Sequence, residues 1–125
     1  MAGSYTVAHT KTGQVRRITI TATADASNGS YPAIPVPGID GRLIQVATNP
    51  GSPAPTANWD LALNDEDGFD LTGGNGQNRH TTNTEQVALD KYISNDEGLS
   101  LVITGNSVNS AVIVIRLKYV SLLPY

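Results

Sequence analysis

Cysteine is absent from all 125 residues, which excludes disulfides, zinc thiolate sites and thiol nucleophiles together and suits assembly in a reducing cytoplasm. Aromatic residues make up only 6% of the chain, with a single tryptophan, so there is little platform for stacking sugar rings. Charged residues are few, at 15% with a formal net charge of −3, and the lysines and arginines are scattered except for Arg16-Arg17. A tract for nucleic acid would be denser and of one sign, so no nucleic-acid partner is expected. No apolar run approaches the roughly 20 residues of a spanning helix. The opening M-A-G-S-Y-T-V-A-H-T-K lacks the apolar segment behind a basic cap that marks a secretory leader. The expectation is a protein with no membrane partner. Sustained helical spacing is missing too, and Thr84 to Tyr92 is the sole candidate for a helical turn or two.

Short alternating runs separated by punctuation fill the chain instead. In Val15 to Ala24, Ile18, Ile20, Ala22 and Ala24 alternate with Thr19, Thr21 and Thr23, the pattern of a half-buried strand. Thr12-Gly13 and the weaker alternation of Tyr5 to Lys11 before it suggest an opening hairpin. Pro32, Pro35 and Pro37 confine Ala33, Ile34 and Val36 to a loop or an edge strand. Arg42 to Thr48 is apolar on both faces, fitting the middle of a sandwich or a subunit contact, and the proline-rich Asn49 to Thr56 is a stiff connection. Trp59 to Leu71 reads as two short strands joined at Asp67-Gly68, with Trp59, Leu61 and Leu63 on one side. Leu99 to Thr104 and Ala111 to Val120 read as a hairpin around Gly105 to Ser110; in the second run Ile113, Ile115, Leu117 and Tyr119 face one way, and the opposite face turns basic at Arg116 and Lys118. The pattern predicts an all-β fold: a single-domain antiparallel β-sandwich or jelly roll over residues 1–125, with about seven to nine short strands and long Gly/Pro-rich loops. Residues 1–14 form an arm or hairpin and 121–125 a short tail.

Chemistry-bearing motifs are few. There is no nucleophile elbow, phosphate loop or paired-histidine zinc motif. Gly73, Gly74 and Gly76 lack the spacing and the helix of a dinucleotide fingerprint. Asp65, Glu66, Asp67 and Asp70 supply hard oxygen ligands, and Asp65, Asp67 and Asp70 form a weak calcium candidate. Placing Gly68 at the sixth position of a helix-loop-helix site, however, would put Leu63 and Gly74 at ligand positions, so an acidic turn held by its own backbone is the preferred account. His9 and His80 lie in unrelated stretches and are expected at the surface. No cofactor, metal site or catalytic residue is assigned. Leu122, Leu123 and Tyr125 would be poorly placed in water, which makes them subunit-interface candidates or a cover for the domain's own base.

The order G-R-L-I-Q-V-A-T-N-P-G-S-P-A-P-T-A-N-W-D-L-A-L-N-D-E-D-G-F-D-L from Gly41 to Leu71, the glycine-rich loop after it and the closing A-V-I-V-I-R-L-K-Y-V from Ala111 resemble small virion structural proteins of tailed bacteriophages, in particular the decoration, or cement, proteins of the capsid exterior. The resemblance implies a non-enzymatic homotrimer, made in the host cytoplasm, that binds the major capsid protein and bridges capsomers. Under that reading the segment through Arg17, with Arg16 and Arg17 as capsid-contact candidates, lies on an acidic shell. The competing class is a tail- or surface-associated recognition module, lectin-like, with a groove lined by Tyr31, Trp59 or Tyr92.

Overall fold

The computed structural model describes residues 3–94 and 98–122. Its eight strands are β1 (Ser4–Thr10), β2 (Val15–Thr23), β3 (Ile34–Val36), β4 (Gly41–Pro50), β5 (Asp60–Asn64), β6 (Glu85–Ile93), β7 (Leu99–Thr104) and β8 (Val112–Ser121). A five-stranded sheet in the order β1-β2-β8-β4-β6 packs on a three-stranded sheet in the order β3-β7-β5, and every pairing is antiparallel. The architecture is an all-β sandwich, with no helix among the described residues.

The core follows from period-two alternation. Ile18, Ile20 and Ala22 of β2 and Ile113, Ile115, Leu117 and Tyr119 of β8 meet Leu61 and Leu63 of β5 and Leu101 and Ile103 of β7 in one buried cluster. Trp59, just ahead of β5, is fully buried, and its indole Nε1 donates to the His80 carbonyl at 3.1 Å. β4 breaks the alternation: its register shifts between Leu43 and Gln45 against both neighbours, so Leu43, Val46 and Thr48 turn inward. This bulge explains why the segment looks apolar on both faces in sequence, and β4 is an interior strand of the large sheet, between β8 and β6.

Two expectations are corrected. Thr84 to Tyr92 holds no helical turn; it is most of β6, with Val87 and Ile93 inward and Gln86, Ala88, Asp90 and Tyr92 outward. Charged and small residues at inward and outward positions alike obscured the period of two, and pairing with β4 overrides the helix propensity of Glu, Gln, Ala, Leu and Lys. Leu99 to Thr104 and Ala111 to Val120 are not partners in a hairpin, since β7 belongs to the small sheet and β8 to the large one. The intervening loop crosses from sheet to sheet and is fastened by Asn106. Its Oδ1 accepts from the Thr56 amide at 2.9 Å and the Val108 amide at 3.1 Å, while its Nδ2 donates to the Gly29 carbonyl at 2.7 Å and the Val108 carbonyl at 3.1 Å.

Because Trp59 is the single tryptophan, its emission reports on this core directly. Trp59→Ala is expected to destabilise the fold by about 3–5 kcal/mol, read as a lower urea midpoint by circular dichroism. Native emission should be blue-shifted and should move to the red in step with that transition.

Candidate functional site

The inward rows of the five-stranded sheet are consumed by the core, so the chemistry available to a partner lies on its outer face. Register places Arg17 opposite Lys118 and Thr19 opposite Arg116 across β2 and β8, then Lys118 opposite Gln45 and Arg116 opposite Ala47 across β8 and β4. Arg17, Arg116 and Lys118 therefore form a contiguous cationic group, flanked along β8 by Val112, Val114 and Val120, which are half-buried. Among the described residues no carboxylate comes within 4.0 Å of any of the three. Arg42, further along the face opposite Val120, is bonded to Asp90 at 2.6 Å, an exposed pair that holds the Asp90 carboxyl below its ordinary range. Like charges directly opposite on a sheet are destabilising, so Arg17 against Lys118 is a local cost in a chain whose net charge is negative.

Arg16 and Arg17 part company at the sheet. Arg16 points inward opposite Tyr119 and pairs with Asp40 at 3.5 Å, both side chains 11% exposed. His9, on the inward row of β1, contacts the Tyr119 hydroxyl through Nε2 at 2.6 Å and so ties β1 to β8 across β2. Burial pushes the His9 imidazole below its ordinary value, helped by Lys11 and Arg16 and opposed by Asp40. Burial and Asp40 push the Tyr119 hydroxyl up. The group is a polar anchor built of His9, Tyr119, Arg16 and Asp40.

The acidic turn is organised by its own carboxylates. Asp65 Oδ1 accepts from the amides of Asp67 and Phe69 at 2.9 and 3.0 Å. Asp70 accepts from the amides of Leu63, Thr72 and Gly74 and from the Thr72 hydroxyl. Asp65, Asp67 and Asp70 are thus neighbours in one turn, yet no metal-holding group of three or more His, Asp or Glu occurs among the described residues. The glycine-rich loop after the turn closes the edge of β5: the Leu61 amide donates to the Gly76 carbonyl at 2.9 Å, and a Cβ on Gly76 would lie 2.3 Å from the Leu61 carbonyl oxygen. His80 Nδ1 accepts from the amides of Thr82 and Asn83. The aromatic trio does not form a groove. Trp59 is in the core, Tyr92 is 71% exposed on the outer face of β6, and half-buried Tyr31 donates to the Ala111 carbonyl at 2.8 Å. Tyr31 instead lines a cleft of about 280 Å³ with Ile103, Thr104 and Asn106. Leu122 is 64% exposed, while Leu123 and Tyr125 lie outside the described residues.

No family model matches the chain, and no curated protein matches it. Among solved structures it is similar to a chain of the cyanophage Pam1 capsid asymmetric unit, with 12% identity and a TM-score of 0.43 over 96% of this chain and 86% of that one.

Two groups should shape the pH dependence of stability. For Asp70, burial raises the pKa, but the hydrogen bonds from Thr72, Leu63 and Gly74 outweigh it and hold the group below 3.8. Its contribution is complete above that value and is lost as pH falls through the lower folded pKa. Asp70→Ala should therefore cost about 1–3 kcal/mol at neutral pH by leaving amides unpaired, and the difference from wild type should shrink in strong acid, as urea melts would show. For His9, the folded pKa lies below 6.5, so its neutral form is favoured and stability declines as pH falls from 6.5 towards the folded value. His9→Gln should flatten that part of a Tm-against-pH curve.

Proposed function

We propose that this chain is a non-enzymatic structural protein of a tailed-phage virion, a decoration protein that sits on the capsid exterior and bridges capsomers, with the outer face of the five-stranded sheet towards the shell. The observation that carries the reading is the cationic group Arg17, Arg116 and Lys118, with no carboxylate partner among the described residues, on a broad sheet face of a net-acidic chain. Opposed like charges weaken the isolated domain, and an acidic shell surface relieves that repulsion. The resemblance of Gly41 to Leu71 and of the final strand to cement proteins supports the same class. The loops that look loose in sequence are fastened by side chains such as Asn106 and Asp70, which suits a rigid clamp.

Contact through Arg17, Arg116 and Lys118 is electrostatic and partly solvated, so each copy binds modestly and weakens with salt. Bridging depends on several linked copies engaging together, three in the arrangement the resemblance implies, so that the second and third contacts form at high effective concentration. Arg17 remains a shell-contact residue under this reading, joined by Arg116 and Lys118, whereas Arg16 serves Asp40 inside.

Charge reversal tests the face more cleanly than removal of residues 1–14, which would strip β1 from β2. Lys118→Glu places a carboxylate opposite Arg17 and should stabilise the free domain by about 0.2–1 kcal/mol, while cutting co-sedimentation with undecorated capsids by roughly tenfold or more. Undiminished capsid binding by this folded, stabilised variant would refute the assigned face. A glycan-array signal with no capsid binding would favour the recognition module.

A further inference from the structure

The sandwich has two sheets and hence four edges, and three of them are covered or otherwise protected against pairing. β3 is three residues long with Pro35 at its centre, where no backbone donor exists. β5 is covered by the chain's own segment 70–79: the Leu71 amide donates to the Leu63 carbonyl, the Leu61 amide to the Gly76 carbonyl and the Arg79 amide to the Trp59 carbonyl. β6 carries Glu85, Asp90 and Lys91, with exposed Lys91 on the same row as Leu43 at the bulge; charges and a bulge are two of the devices by which edges are kept from pairing.

β1 has none of these protections. Its sequence S-Y-T-V-A-H-T contains no formal charge and no proline, its ladder to β2 is regular over all seven residues, and β-branched and aromatic residues favour an extended chain. Among the described residues its backbone has no partner outside β2. The small sheet does not reach beneath it, so Tyr5 and Val7 on its inward row are 38% and 37% exposed although they lie beside buried Ala22 and Ile20. A long, flat, neutral edge with apolar side chains is a template for another strand.

We infer that β1 is a self-pairing edge that joins two copies of this chain about a two-fold axis at Val7, making one ten-stranded sheet from two five-stranded ones. Antiparallel pairing centred there sets Val7 against Val7 of the second copy, Tyr5 against His9, Thr6 against Ala8 and Ser4 against Thr10. No like charges meet, and the two exposed apolar rows cover one another. Charge at the strand ends selects the same orientation. Lys11 and Arg17 lie at the Thr10 end of the β1–β2 ladder, and Asp25 lies beyond the Ser4 end. Two-fold pairing brings the basic end of one copy beside the acidic end of the other, roughly one Debye length apart at physiological salt, whereas parallel pairing would set like ends together. The contact is made by the edge of β1 and not by the cationic face, of which only Arg17 lies near it, and it does not depend on the capsid reading. Being two-fold, it is separate from any three-fold contact.

The absence of native cysteine makes the test specific to register. Under mild oxidation Val7→Cys should give a disulfide-linked dimer in most of the protein, because residue 7 faces its own copy. Ser4→Cys should not, because the two copies of residue 4 sit at opposite ends of the paired strands. A mixture of Ser4→Cys with Thr10→Cys should cross-link again. Val7→Lys, which sets two ammonium groups at the axis, should halve the mass of the assembly in sedimentation and raise its dissociation constant by roughly tenfold, with an unchanged β-type circular dichroism spectrum. Cross-linking of Val7→Cys no greater than that of Ser4→Cys, or an assembly mass unaffected by folded Val7→Lys, would overturn the inference.

Discussion

The structure depends on the division of labour along β8. Ile113, Ile115, Leu117 and Tyr119 are all sealed into the core, and the residues between them make up the central row of the outer face. β8 is flanked on both sides, by β2 and β4, so a one-residue slip would bring its outward residues, including Arg116 and Lys118, under the small sheet and expel the apolar row. Register and surface charge are therefore one property. The same alternation that excludes water from between the sheets fixes where the cations stand.

Around that strand the sheet manages its polar groups unevenly. Carboxylates at turns are spent on local amides, as with Asp65 and Asp70, or on a single inward cation, as with Asp40 and Arg16. The acidic residues outnumber the basic ones, yet among those described only Asp90 stands beside the cationic face, and it is bound to Arg42. An acidic protein thus presents a basic surface, because the negative charges are held in loops and at edges.

Much of the fold was legible because its strands are amphipathic in the simplest way. Ile18 to Ala24 and Ile113 to Tyr119 alternate without interruption, and Trp59, Leu61 and Leu63 announce an inward row. The parts that were not legible have specific causes. The β4 bulge shifts the period midway, which a fixed alternation cannot represent. β6 carries charges on both rows because an edge strand is half solvated. β7 and β8 fall in different sheets through pairings with β3 and β5 and with β2 and β4, partners remote in sequence, and the loop between them is fastened by Asn106 to residues 29 and 56. The cationic group was visible only in halves, as Arg16-Arg17 at one end and the basic face of the last strand at the other. Which of Arg16 and Arg17 points outward depends on the pairing with β8, which neither strand encodes alone.

Asn106 is a single point of attachment for several loops. Its carboxamide uses both ends at once, the oxygen accepting from the amides of Thr56 and Val108 and the nitrogen donating to the carbonyls of Gly29 and Val108. Hydrolysis of that amide with age would put a second acceptor oxygen where two carbonyls need a donor. A single slow chemical event would then remove both donor bonds, to Gly29 and to Val108, at one end of the sandwich while the core stayed intact, so long storage would loosen a loop before it touched the packing.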